Sequence, residues 1–246
     1  MAYNKDVSEG YNAKIVSREG SNNFNYVEAP NASRMLGSIE GLRVLDLGCG
    51  SGRYSRWLKS SKNAAEVVGV DMSKDMIEHA REIEKKEPLG IHYHVGDASK
   101  PLDKDLGTFD VCFAGYLLHY STDKDMLRGF LENIHGLLRK GGIFVTLNQD
   151  PDKDQNQPDI MPYGFTMTFQ KFPPQEGDSI TKTFYANGKY LCEFYNYYFK
   201  KGTYEELFED TGFTNFVCEP YTIEDQDAKW NIWKQRAVCC VMKGIK

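Results

Sequence analysis

Across residues 42 to 148, short apolar runs alternate with longer stretches whose apolar residues recur at helical spacing. The runs 43–47, 65–70, 91–95, 109–114 and 143–147 are rich in Val, Ile, Leu or Phe and are bounded by glycine or charge. Such short, apolar runs predict strands buried on both faces. Between them, 54–60, 73–86 and 123–139 predict helices. Met76, Ile77 and Ala80 mark one face of the second, and Leu127, Phe130, Leu131, Ile134, Leu137 and Leu138 one face of the third. Ser73 or Asp71 is expected to cap the second helix, and Gly141-Gly142 to end the third. Strand–helix–strand repetition of this kind predicts an α/β fold, with a doubly wound, Rossmann-like, mostly parallel sheet covered by helices on both faces.

The pattern changes after residue 149. The stretch 150–158 (DPDKDQNQP) is polar and proline-bounded, and predicts a loop leaving the sheet. Runs 165–172, 179–185 and 190–199 read as strands, and Asn187-Gly188 suits a tight hairpin turn between the last two. A helix is expected over 203–211, with Thr203 as cap, Glu206 at capping-box spacing and Gly212 as terminator. Val238 to Met242 is expected to form a final edge strand. The expected organisation is one domain over 1–246, with an N-terminal helical lid (1–40), a core (41–150), a cap insertion (151–202) and a return to the sheet (203–246).

A length of 246 residues suits one α/β domain with an elaborated cap. The formal net charge of −5, with no Lys/Arg-rich run, disfavours a nucleic-acid partner. No apolar leader or bilayer-length run occurs, so a soluble cytoplasmic protein with no membrane partner is expected. The six cysteines form no CxxC pair and read as buried free thiols of a reducing compartment. The 15 Tyr and 14 Phe, many between Phe165 and Phe216, suit either a surface that grips organic groups or aromatic core strands.

Candidate chemistry centres on Val44-Leu45-Asp46-Leu47-Gly48-Cys49-Gly50-Ser51-Gly52, a buried strand, a glycine turn and the start of a helix. In a doubly wound sheet this first strand–helix turn is where a nucleotide-like ligand sits. The spacing is GxGxG rather than the dinucleotide GxGxxG, and Asp46 before it would serve a pyrophosphate poorly. Asp71 ends the second apolar run about twenty residues on, at the position of a ribose-hydroxyl acceptor. Asp97, in Gly96-Asp97-Ala98, follows the third run and is expected near an adenine amino group.

With these residues the chain resembles class I S-adenosylmethionine (SAM)-dependent methyltransferases. The resemblance is carried by LDLGCGSGRYSRWL, VVGVDMSKDMIEHARE, FDVCFAGYLLHY and LLRKGGIFV. It implies a seven-stranded sheet, SAM as cofactor with S-adenosylhomocysteine as product, and transfer to a small-molecule acceptor. It further implies that Gly48, Gly50 and Gly115 approach the methionine part of SAM and that Asp46 orients its amino group, directly or through water. By the same likeness Asp71 binds the ribose hydroxyls, Met72 packs on the adenine, Asp97 accepts from its N6 with Ala98 beside it, and Tyr116 faces the transfer site. Within the superfamily the chain is similar to the toxoflavin-type heterocycle N-methyltransferases, through its AGYLLHY segment, the acidic DPD loop and TYEELFEDTGF. In such enzymes an N-terminal tyrosine folds over the sulfonium, and Tyr11 is the candidate. Relatives often hold the SAM carboxylate with an arginine about twenty residues before the motif aspartate. Here that stretch reads Asn22-Asn23-Phe24-Asn25, leaving Asn25 or Arg18 as substitutes.

Methyl transfer from a sulfonium is an in-line displacement by a lone pair, so alignment is the main task. A general base is needed only for an acceptor protonated in its ground state, and His119 is the candidate, with Tyr116 shaping the transfer site. His92 and His94 alternate on one strand without the acid or cysteine that would complete a metal site, so no metal is expected and packing is their predicted role. Alternatives to a small-molecule N- or O-methyltransferase are a catalytically silent SAM-binding regulatory protein or a methyltransferase acting on a protein.

Overall fold

A computed structural model describes residues 5–151, 160–224, 227–231, 234 and 238–246. The chain opens with three helices, α1 (Lys5–Val16), α2 (Arg18–Asn23) and α3 (Ala29–Leu36), the last two joined by a π-helical turn at Phe24–Glu28. Five strands then alternate with helices: β1 (Arg43–Leu47), α4 (Arg53–Ser60), β2 (Glu66–Asp71), α5 (Lys74–Lys86), β3 (His92–Val95), β4 (Phe109–Gly115), α6 (Lys124–Leu137) and β5 (Leu138–Gln149). A separate hairpin sheet follows, β6 (Phe165–Phe169), β7 (Ser179–Ala186) and β8 (Lys189–Tyr197), before α7 (Lys201–Asp210), β9 (Thr214–Pro220) and β10 (Cys239–Ile245). Of the predicted loop 150–158, residues 152–158 lie outside the described residues.

The main sheet has seven strands in the order β3-β2-β1-β4-β5-β10-β9. The first five are mutually parallel, and only β10 runs against its neighbours. Alternate residues of each strand feed two apolar layers. Val44, Val67, Val111 and Val145 pack with Leu58 of α4 and Ile77 of α5, while Leu45, Val68, Cys112 and Phe144 pack with Leu127, Leu131 and Ile134 of α6 and Phe208 of α7. This is the predicted doubly wound, Rossmann-like α/β fold. Among the described residues, no helix is long and apolar enough to cross a membrane.

Local chemistry explains most boundaries. Ser73 is the cap of α5, its hydroxyl accepting the Met76 N–H at 3.3 Å, while Asp71 is engaged elsewhere. Asn187 and Gly188 take φ of 50° and 72° and turn β7 into β8, as the Asn-Gly pair predicts. Helix α1 lies across β8 so closely that a Cβ at Gly10 would come within 2.6 Å of the Leu191 carbonyl oxygen.

Four expectations are corrected. Helix α6 ends at Leu137, and Gly141-Gly142 lie inside β5, whose pairing with β4 shifts register there. Lys200, not Thr203, stands at the N-cap of α7, because the Thr203 hydroxyl donates to Glu176 instead. The final strand is interior, covered on its outer side by β9, for which the sequence offered no clear alternation. His92 and His94 are exposed rather than packed, since β3 is the sheet edge and its buried residue is Tyr93.

Gly69 shows how tightly this edge is fitted. A Cβ there would lie 2.7 Å from the Tyr93 ring and 3.0 Å from the Cys49 sulfur. Gly69→Ala is therefore expected to destabilise the fold by about 1–3 kcal/mol, the usual cost of overpacking, seen as a lower urea midpoint with an unchanged slope.

Candidate active site

Strand order reverses between β1 and β4, and a cleft opens beyond their carboxyl ends. The space between its walls, counted out into open solvent, is about 1600 Å³.

One half of the cleft is built from the glycine turn and the ends of β2 and β3. The Gly48 and Cys49 N–H groups both donate to the Val70 carbonyl, at 2.8 and 3.1 Å, which ties the turn to β2. Gly48 and Gly50 have φ of 73° and 54°, backbone that a side chain would strain. A Cβ at Gly50 would meet nothing within 4 Å, so its absence leaves backbone facing open space. Asp71 then clamps the turn: its Oδ2 accepts the Gly50 N–H at 2.9 Å and its Oδ1 the Ser73 N–H at 2.8 Å. Burial raises its pKa, and these two N–H bonds hold that rise back. A carboxylate has about four acceptor sites, so roughly half remain for a ligand.

Asp97 is differently held. Its Oδ1 accepts from the Ser99 N–H (3.0 Å) and hydroxyl (2.7 Å), and Lys100 pairs with Oδ2 at 3.0 Å. Partial desolvation pushes its pKa up, but Ser99 and Lys100 together hold it below the usual range. Met72, 42% exposed, and Ala98 line the same cleft as the two acids.

Asp46 is the exception among the expected acids, because it does not line the cleft. Fully buried, it shares the Val44 face of β1 and accepts the Ser55 hydroxyl of α4 at 2.5 Å. Its Oδ1 has no hydrogen-bond partner, and desolvation pushes its pKa up to about 7. The strand's period of two turns this side chain under α4, one layer beneath the glycine turn.

The other half of the cleft is aromatic. A Cβ at Gly115 would stand 2.5 Å from the Tyr54 ring, so only glycine fits. Tyr116 follows at φ 65°, a conformation that costs a side-chain-bearing residue energy and is fixed here by its N–H to the Leu147 carbonyl at 2.9 Å. Its hydroxyl reaches Glu28 Oε1 at 3.2 Å and the Tyr221 hydroxyl at 3.0 Å, while Tyr54 donates to Glu28 Oε2 at 2.8 Å. His119 sits in the single 3₁₀ turn Leu118–Tyr120 and is 2% exposed. Burial, then the positive charge of Lys182, holds its pKa well below 6.5, so the imidazole is neutral. Its Nδ1 has no hydrogen-bond partner, and neither amide atom of the buried Asn148 has one.

Tyr11 of α1 joins this half. A chain of ring contacts runs from Tyr11 to Phe184 (5.9 Å), Phe194 (5.1 Å), Tyr120 (5.8 Å), His119 (5.0 Å) and Tyr116 (5.8 Å). These rings come from the lid, the hairpin sheet and the turn after β4, and all line the cleft.

For a ligand carboxylate, Asn25 is excluded by position: it is exposed and off the cleft, because the π-helical turn sends Val27 and Glu28 inward. The Arg18 side chain lies outside the described residues. Arg53 does line the cleft, at the first residue of α4, with one N–H on the Gly20 carbonyl (3.0 Å) and its guanidinium 4.2 Å above the Phe24 ring. Its signal was its position directly after Gly52. Lys182 and Glu28 were also missed, since only the folded cap and lid bring them to the cleft.

Known proteins bear on this arrangement. Residues 44–142 match the family described as a methyltransferase domain. A ubiquinone biosynthesis O-methyltransferase of Coxiella burnetii is 34% identical over 115 residues, 46% of this chain and 47% of that protein. A demethylmenaquinone methyltransferase of Leptospira interrogans is 36% identical over 109 residues, 44% of this chain and 43% of that protein. The matched stretch thus spans about half the length of these curated relatives. A solved SAM-dependent methyltransferase from Mesorhizobium loti aligns with a TM-score of 0.63 at 23% identity, over 89% of this chain and 97% of that one, and shares the fold.

The buried Asp46 makes a testable contribution to pH dependence. Its folded pKa of about 7 exceeds the ordinary 3.8, so the fold holds a proton that the unfolded chain releases. Stability from this group therefore falls as pH rises from 3.8 through 7. Asp46→Asn, measured without cofactor by urea unfolding, should gain on the wild type across that window, by about 4 kcal/mol at most. A difference independent of pH would mean that Asp46 is not held neutral.

Proposed function

We propose that this chain is a SAM-dependent methyltransferase that moves the methyl group of SAM to a nitrogen or oxygen of a flat, aromatic or heterocyclic small molecule. One observation carries the reading. A backbone cradle and two carboxylates with acceptor capacity to spare line one half of a cleft whose other half is an aromatic chamber. The residues fit the cofactor: Gly50 leaves the room a ligand backbone contact needs, and Asp71 keeps lone pairs for hydroxyls. When bound, the cofactor supplies an electrophilic methyl group on a sulfonium.

The chain's own residues supply position. Gly48, Gly50 and Gly115 admit the methionine part, Arg53 meets its carboxylate, Asp71 accepts the ribose hydroxyls, and Met72, Asp97 and Ala98 hold the adenine. Tyr11 closes over the site, and Tyr116 and His119 face the transfer point. Asp46 supports the turn from beneath, through Ser55. Holding two reactants in line is worth up to about 7–11 kcal/mol in the best intramolecular cases, which makes alignment the principal contribution. The aromatic wall supports a planar acceptor, in keeping with the toxoflavin-type resemblance and with the quinone pathway named for the Coxiella burnetii relative.

Calorimetry tests the cofactor. SAM and S-adenosylhomocysteine should bind and NAD should not, and Asp71→Ala should weaken SAM by about tenfold or more, the loss of hydrogen bonds to a charged acceptor. Tight NAD binding with no heat from SAM would sink the reading.

His119 separates alignment from proton transfer. As a base it should make His119→Ala turn over about 10²–10⁴-fold more slowly with unchanged SAM affinity. Because the wild-type imidazole is already neutral, that loss should stay constant through pH 6.5, with no inflection there. Full turnover in the variant, with an acceptor found by a mass-spectrometric metabolite screen, would leave positioning alone.

A further inference from the structure

The hairpin sheet turns one face toward the cleft. Alternation places Phe165, Met167 and Phe169 of β6, Ile180, Lys182 and Phe184 of β7, and Cys192, Phe194 and Asn196 of β8 in matching rows on that face. Lys182, opposite Met167 and Phe194, is the one charged residue among these positions. A charge at the centre of an apolar strand face costs stability unless something answers it.

Little in the described chain answers it. The Lys182 ammonium stands 4.8 Å from the centroid of Phe165, 5.2 Å from Tyr116 and 5.6 Å from Phe184, so ring faces surround it. Rings attract the charge but satisfy none of its three N–H donors. Among the described residues no hydrogen bond or ion pair is made by its Nζ. A lysine of the lid itself shows the contrast, since the buried Lys14 of α1 donates to the Tyr163 carbonyl at 3.0 Å. Glu28 is the carboxylate whose field reaches Lys182, but its hydrogen bonds are to the hydroxyls of Tyr54 and Tyr116 and none joins it to Lys182. Cys239, also nearby, has its thiol pushed by burial up to about 11 and is neutral. His119 is neutral as well.

We infer that Lys182 receives an anionic oxygen of the methyl acceptor, carried on an aromatic or conjugated ring that lies against the wall of Phe184, Phe194 and Tyr120. The inference rests on the methyltransferase reading only in taking this chamber as the acceptor side. A carboxylate and a phenolate-type oxygen share the required chemistry. Either brings negative charge into a chamber where Lys182 and a sulfonium would otherwise leave an excess of positive charge. Recognition then falls to one ammonium for charge and to the rings for shape, and Lys182 is a specificity-determining residue of the acceptor site.

Matched pairs of simple probes test it without knowledge of the natural acceptor. Protein loaded with S-adenosylhomocysteine is titrated calorimetrically with naphthoate and naphthamide, and with para-nitrophenolate and para-nitroanisole. The anion of at least one pair should bind roughly tenfold or more tightly than its neutral partner, the worth of a hydrogen bond to a charged group. The pair showing the preference identifies the oxygen type. Lys182→Met should abolish the preference while S-adenosylhomocysteine affinity stays unchanged, which also shows that the variant is folded. Anions that bind wild-type protein no better than their neutral partners, including the case where neither binds, overturn the inference, as does a preference that survives in Lys182→Met. If S-adenosylhomocysteine itself fails to bind, the methyltransferase reading fails, and the same pairs titrated without it still decide whether Lys182 holds an anion.

Discussion

The carboxylate of Asp71 joins the parts on which the site depends. One oxygen holds the Gly50 N–H of the turn after β1, and the other holds the Ser73 N–H at the start of α5. Hydrogen bonds to an ionised acceptor are worth about 1.5–3 kcal/mol each, so this side chain fixes a loop that its three glycines would otherwise leave loose. Asp71 also lines the cleft, with acceptor capacity left over. The same group thus shapes the cradle and offers itself to what the cradle holds. Burial works against its charge, and only the two backbone donors make the ionised form tenable.

Around that clamp, charge is distributed unevenly between the two halves of the cleft. The turn side carries Asp71 and Asp97, both supported by donors. The aromatic side carries Glu28, which accepts one tyrosine hydroxyl on each oxygen, and Lys182, which the described residues leave with rings alone. Among apolar walls, any electrostatic contact is stronger than it would be in water. The lid and the hairpin sheet create this chamber together, because α1 lies directly on β8 at Gly10 and brings Tyr11 against Phe184. Neither segment belongs to the main sheet, yet between them they shape the aromatic half of the cleft.

The alternation of apolar runs and amphipathic helices determined the core, since strands buried on both faces must be continuously apolar and their helices must cover them. That Gly48, Gly50, Asp71 and Asp97 line the cleft was legible for the same local reason: they follow or end strands at the edge where such sheets open. Ser73 and Asn187-Gly188 were equally local, because a cap and a tight turn are decided within four residues. Asp46 was legible as an acid near the turn but not as a buried one. Its direction depends on α4 packing over β1. The misread ends, at Gly141-Gly142 and Thr203, have one cause: a distant partner, β4 in one case and Glu176 in the other, outweighed a local signal. What only the tertiary structure decided was the aromatic half of the cleft. Tyr11, Glu28, Tyr116, Lys182 and Phe194 are far apart in sequence and follow no common period. A residue's role there depends on which surfaces meet when the lid and hairpin sheet close on the core, and no short-range pattern encodes that meeting.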